Sequence, residues 1–287
     1  MENQPVDLGD LPHGIEDVHI IMRGSFSVAT SYDCPQDRQH QLRAVVLAEA
    51  FGEESIDAVY EEYVSPYAAG IPSLPAELGP IIAGTSAGKE FVRRAIGRVL
   101  AIKDKPDHPG VFAAGAALLR LPITFRLATL AVRNGFHFET ALLARMIVEQ
   151  LAWVLAVHRY ADEKMFAIDP HKCISRLKQY FPDVGRLYGA LSEAGHIIPR
   201  RTLRYIEFTG AAEPTIQLIS LEFGFEDTAL LLKIADMYAV VTEVVYSELL
   251  PDLQHVSRLD GGVSTSPNRP GVQMLKDWTE KYAPGAT

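Results

Sequence analysis

Cysteine is almost missing from this chain: Cys34 and Cys173 are the two in 287 residues. They give neither a disulfide framework nor the spacing of a zinc site, a usage that fits a reducing compartment. Positive charge is also short, with 27 Lys and Arg against 36 Asp and Glu and a formal net charge of −9. That balance disfavours a protein held on the DNA backbone, where affinity comes from cations that release counterions. No sequence-specific DNA partner is expected, and a local basic patch stays open. Long uninterrupted apolar runs are missing as well. The two most apolar stretches, 110–134 and 140–157, are broken by Arg120, Pro122, Arg126 and Arg133 in the first and by Arg145 and Glu149 in the second. A bilayer-spanning helix needs about 20 predominantly apolar residues and tolerates central charges badly. Buried helices and no membrane partner are therefore expected. The first residues carry acids, Pro and Gly where a secretory leader needs a basic and then an apolar run, so a cytoplasmic location is expected.

What is present is an ordinary globular composition, 48% hydrophobic and 22% charged, on a chain long enough to bury a core. Helical periodicity predicts elements over 36–51, 54–64, 138–160 and 225–250, with Thr85 or Ser86 capping another that runs to about Lys103. The stretch 110–134 reads as one helix kinked by Pro122, or as two, ended by Gly135. Pro170 and Pro182 open a shorter pair. Four prolines (Pro66, Pro72, Pro75, Pro80) mark 65–80 as a loop, and 215–223 alternates like a strand. The expected fold is mainly α: a helical bundle over 36–255, an irregular N-terminal arm over 1–35 with at most a short strand or hairpin, and a flexible C-terminal tail over 256–287 with room for a small helix at 272–282.

Two stripes do not fit a plain core. On the helix 138–160, Arg145, Glu149, Ala152 and Ala156 fall within an arc of roughly 60° at 100° per residue, while apolar side chains cover the other directions. A helix apolar on most sides is buried on most sides. The pair is then either a site facing a cleft or an i,i+4 ion pair on the one exposed stripe. On the helix 182–196, Tyr188, Ser192 and His196 follow i, i+4, i+8, with Gly185, Gly189 and Gly195 beside them. Glycines there permit close approach of a ligand or of a packed helix. The helix 225–250 carries Lys233, Asp236, Glu243 and Ser247 on an otherwise apolar surface, as a central core helix or as a homodimer interface.

Other motifs are weaker. Glu193-Ala-Gly-His196 has Glu-x-x-His spacing, but a di-iron bundle needs a second copy and two more glutamates, so no metal and no cofactor is expected. Gly84-Thr-Ser-Ala-Gly88-Lys89 is one residue short of a P-loop, and Glu90 replaces the hydroxyl that would hold magnesium. Lys89, Arg93, Arg94, Arg98, Lys103 and Lys105 form one basic cluster, and Arg200, Arg201 and Arg204 another. Each is either a phosphate contact or a solvated helix face.

The run from Glu139 through Arg145 and Glu149 to Trp153 resembles the Arg-x-x-x-Glu helix of an uncharacterised bacterial helical family. About forty residues on, Leu187-Tyr188-Gly-Ala-Leu191-Ser192-Glu-Ala-Gly-His196 is similar to that family's Tyr-x-x-Leu-Ser-x-x-x-His element. The match covers roughly 110–250, and the family in turn resembles the HEPN helical bundles of toxin–antitoxin and phage-defence systems. The resemblance implies a helical fold, RNA or a nucleotide as partner, and a site of Arg145, Glu149, Ser192 and His196 with Tyr188 beside it. Arg145 would bind phosphate, His196 would move a proton, Glu149 and Ser192 would orient them, and Tyr188 would contact substrate. The Arg-x4–6-His pattern of the active HEPN ribonucleases is not met: Arg186 is too far from His196, and Arg133 too near His137. The competing expectation is a non-catalytic interaction module, a protein-binding unit or homodimer scaffold, in which the same residues form a buried structural network.

Overall fold

A computed structural model describes residues 18–23, 26–31, 34–53, 55–70, 78–103, 107–195, 206–207, 215–216 and 221–283. The chain divides into two compact units, Met1–Leu78 and Gly79–Thr287. In the first, strands β1 (Val18–Arg23) and β2 (Phe26–Ser31) pair antiparallel, with Val18 opposite Ser31 and Arg23 opposite Phe26. Helix α1 (Gln36–Phe51) follows and stops at Gly52, whose φ of 71° is left-handed. Ser55 caps α2 (Ile56–Val59) by accepting the Ala58 N–H at 3.2 Å. The chain then tightens through a π-turn (Tyr60–Val64) and a 3-10 turn (Ser65–Gly70). Ala44, Ala48, Val59 and Val64 form this unit's small core. The boundary expected at residue 35 thus gives way to one at Leu78, because the hairpin, α1 and α2 make one compact unit.

The second unit is the helical bundle: α3 (Leu78–Leu100), α4 (Pro109–Arg133), α5 (His137–Val157), a 3-10 turn (Pro170–Cys173) leading into α6 (Ile174–Leu177), then α7 (Val184–Gly195). Two short strands, β3 (Ile206–Glu207) and β4 (Thr215–Ile216), pair antiparallel. Helix α8 (Gly224–Val245), the hairpin β5 (Val256–Leu259) and β6 (Gly262–Thr265), and helix α9 (Pro270–Tyr282) complete it. Of the strand expected over 215–223, β4 holds two residues, and 221–223 form a bend and turn. By length and composition, α4 and α5 are each apolar enough to cross a membrane. Here they pack with each other and with α8 around Leu118, Ile147, Leu151, Ile234 and Tyr238.

Helix α3 begins at Leu78, seven residues before the expected cap, with Pro80 in its first turn, where the missing N–H has no intrahelical partner to lose. Thr85 is therefore an interior residue whose hydroxyl donates to Ile81 O at 2.7 Å. Gly84 is needed for another reason: a Cβ there would run into Thr228 and Trp278. Helix α4 continues through Pro122 unbroken. Proline takes away the N–H that would reach Leu118 O, and the Tyr238 hydroxyl of α8 supplies the missing donor at 2.9 Å. Gly135, at φ 72°, then turns the chain into α5.

Two residues of the polar stripe on α8 are taken up within the chain. Asp236 and Glu243 are buried, and each holds an arginine: Arg269 grips Asp236 (Nε–Oδ1 2.9 Å, Nη2–Oδ2 2.8 Å), and Arg98 pairs with Glu243. Glu243 also accepts the N–H groups of Gln254 (2.9 Å), His255 (2.7 Å) and Val256 (3.1 Å). Trp278 is 5% exposed, stacks on Phe225 at 4.4 Å and donates to Pro80 O at 3.0 Å. Residues beyond 255, expected as a flexible tail with a small helix at 272–282, form a hairpin and then that helix, α9, which packs against α8.

Candidate polar site on helices α5 and α7

Arg145 and Glu149 stand one turn apart on α5, and the spacing lets Arg145 Nε donate to Glu149 Oε1 at 2.9 Å. From α7, Tyr188 donates its hydroxyl to the same Oε1 at 2.6 Å. Arg145 Nη2 lies 3.4 Å from the Tyr188 oxygen, and its guanidinium carbon sits 5.5 Å from the centre of that ring. Three of the five expected site residues therefore close one small ring across the α5–α7 contact. The hydrogen bond to Glu149 raises the Arg145 pKa above its ordinary value, and burial, with Glu149 adding to it, raises that of Tyr188. Both shifts fix the charge-paired state: a guanidinium on a carboxylate, with a phenol kept protonated. Side chains of Arg145 and Glu149 keep 27% and 21% of their surface exposed, so water reaches the ring's edge.

Ser192 lies one turn beyond Tyr188. Its buried Oγ sits close enough to the Tyr188 hydroxyl to oppose the rise of that phenol's pKa, but makes no hydrogen bond of good geometry among the described residues. His196 lies outside the described residues, as do Arg200, Arg201 and Arg204. The other basic cluster is largely spoken for. Arg93 and Arg94 both hold Glu90, driving its pKa down to about 2, and Arg98 is bound to Glu243. Gly84–Lys89 lies inside α3 rather than in a loop, so no phosphate cradle forms there. Among the described residues no group of three or more His, Cys, Asp and Glu is placed to hold a metal ion.

A second polar gathering escaped the sequence reading. His137, in the first turn of α5, has Nδ1 at 2.9 and 2.8 Å from the two oxygens of Asp227, in the first turn of α8, and stacks on Phe223 at 4.8 Å. Burial raises the Asp227 pKa and hydrogen bonding to His137 opposes the rise. Nearby, Arg133 is 2% exposed and donates to the hydroxyls of Thr85 (2.9 Å) and Ser86 (2.7 Å). Ninety residues separate His137 from Asp227, and no local spacing signals such a pair.

No family model, curated protein or solved structure matches this chain.

Proposed function

We propose that the protein is a non-catalytic helical interaction module that pairs with a second copy of itself through the outer face of α4 and α5. The observation that carries this reading is a row of exposed apolar side chains on those two helices. Phe112 (76% exposed), Leu119, Ile123 (58%) and Leu127 line one side of α4, and Leu142 continues the face onto α5. A groove of about 660 Å³ bounded by Phe112, Arg120, Gln150, Trp153 and Phe166 opens within it. Two adjacent helices of this length present roughly 35 Å by 20 Å, or about 700 Å² per copy. Doubled, that is within the range of a stable protein–protein interface. Arg120 and Glu139 are exposed, and neither makes an ion pair among the described residues. A two-fold axis between them sets Arg120 of each copy against Glu139 of the partner subunit. Helix α8 is not the pairing surface, since nearly all of it is buried within its own chain.

Within this reading Arg145, Glu149 and Tyr188 are a clasp between α5 and α7. Sedimentation equilibrium of the full chain tests the pairing. Wild type is expected to be a dimer at micromolar concentration. Ile123→Glu should weaken it by about 100-fold, roughly 2.7 kcal/mol, while Leu100→Glu, on exposed α3 surface, leaves it intact. A wild-type monomer at about 100 μM, or tight binding of the face to lipid vesicles instead, sinks it.

One observation favours the HEPN-like reading, in which RNA or a nucleotide is bound at the α5–α7 cluster. Arg145 Nη1 makes no hydrogen bond among the described residues, so the cluster keeps a donor unspent. Under this reading Arg145→Ala stays folded and loses affinity for RNA or a nucleotide that the wild type binds. Under the clasp reading it destabilises the chain, and the wild type binds neither.

A further inference from the structure

We propose that the second unit holds a pocket for a small organic phosphomonoester, built where the start of α4, the end of α5 and the β5–β6 hairpin meet. The cavity there measures about 840 Å³ and is lined by His108, His158, Arg159, Ser247 and Arg258, with the glycine turn of the hairpin at its edge. That volume is within the range of small-ligand sites. Its chemistry is unusual for a chain carrying nine more acids than bases. Neither Arg159 nor Arg258 has a carboxylate partner among the described residues, whereas Arg93, Arg94, Arg98, Arg145 and Arg269 each do. Glu248 is the one acid lining the cavity, and it is exposed.

The cations are positioned, not loose. Arg258 Nη2 donates to the carbonyls of Ser247 (2.7 Å) and Leu250 (3.0 Å), which pins one arm of the guanidinium and leaves Nε and Nη1 to point elsewhere. His158 Nδ1 lies 2.9 Å from Leu155 O. A carbonyl only accepts, so Nδ1 carries the proton and Nε2 is the acceptor that receives Arg159 Nε at 3.3 Å. His158 is thus a neutral positioning residue for Arg159, and burial together with the Arg159 and His108 charges pushes its pKa down. His108 stands at the N-cap of α4 without capping it, and its buried Nδ1 has no hydrogen-bond partner among the described residues. Pro109 opens this 25-residue helix beside the cavity, since His108 and Val111 both line it. A long helix directs its partial positive charge to that end.

Two arginine forks and a helix start line one space. Phosphate, with three equivalent oxygens, satisfies such a set better than a single carboxylate does. Val244, Val245, Leu259 and Val263 supply an apolar wall, which suits a phosphate carried on an organic body. The pocket lies inside one copy of the chain, so it stands or falls independently of self-pairing.

Calorimetric titration of the full chain tests it, with AMP and ribose 5-phosphate as probes against adenosine and ribose. The phosphorylated member of each pair should bind at least 30-fold more tightly. Arg159→Ala, an exposed position, should weaken AMP binding at least tenfold with an unchanged melting curve. Arg258→Ala should do the same even where it loosens the hairpin, and Arg93→Ala should do nothing. An RNA oligonucleotide with a 5′-phosphate, compared with the same oligonucleotide ending in a 5′-hydroxyl, separates a free metabolite from an RNA end. A phosphate preference lost in Arg159→Ala supports the site in either case. No binding of AMP or ribose 5-phosphate at millimolar concentration, equal binding of adenosine and AMP, or full affinity in both arginine variants overturns it.

Discussion

Glu243 is 2% exposed in the last turn of α8, yet it holds Arg98 and three successive backbone N–H groups. Replacing it with Gln keeps the size and removes the charge those donors and Arg98 surround. Breaking such a buried pair typically costs about 3–5 kcal/mol, and urea unfolding of Glu243→Gln should report a loss of that order. His255 adds a pH dependence. Burial lowers its pKa below the usual imidazole value, and the groups facing it are Glu243, Asp236, Arg98 and Arg269. The folded chain then binds fewer protons than the unfolded chain between the depressed value and about 6.5, so stability rises with pH across that window and is lost as pH falls. Melting curves from pH 7 to 5 should show this slope, and His255→Gln should flatten it. At this scale the sequence was legible where partners share an element. Arg145 and Glu149 sit at i,i+4, and Tyr188 was already marked by its stripe. The link from His137 to Asp227 was not legible, because only tertiary packing brings the starts of α5 and α8 together.

Pro122 and Tyr238 show how elements compensate one another. Proline leaves Leu118 O without its helical donor, and a hydroxyl from a neighbouring helix fills the place in a fully buried setting. Tyr238→Phe should therefore cost about 1–3 kcal/mol, the penalty for a buried acceptor left unmade. In the background of Pro122→Ala, which restores the N–H, the same change should cost measurably less. A double-mutant cycle by thermal unfolding reads the coupling, and strict additivity would refute the compensation. Element limits were readable where a glycine with positive φ ends a helix, as Gly52 does for α1 and Gly135 before α5. They misled at α3, where Thr85 and Ser86 have the look of caps and Pro80 that of a breaker. Proline in a first turn breaks nothing, and Thr85 bonds back to Ile81 inside the helix.

For the molecule as a whole, the mainly α character follows from periodicity, whereas the extent of the bundle does not. Residues 256–287 are rich in Gly, Ser and Pro and lack a long apolar face, so composition suggests a tail with no more than a small helix at 272–282. The complementary signal lay elsewhere, in Asp236 and Glu243 on an otherwise apolar helix. Buried carboxylates need cations, and one of those cations, Arg269, comes from the segment just before α9. Arg269 also caps the face of Phe181 at 5.4 Å, and its loss would leave Asp236 charged in a dry site. Arg269→Met should accordingly destabilise the chain by about 3–5 kcal/mol. Adding Asp236→Asn removes the stranded charge and should recover more than half of that loss in urea unfolding. A chain cut after residue 255 loses the Arg269 clamp and uncovers the surfaces now filled by Trp278. It should therefore melt earlier and aggregate, while Asp236→Asn in the cut chain restores only the electrostatic part. If the cut chain instead melts like the full one, the hairpin and α9 are ornaments on a bundle that is complete without them.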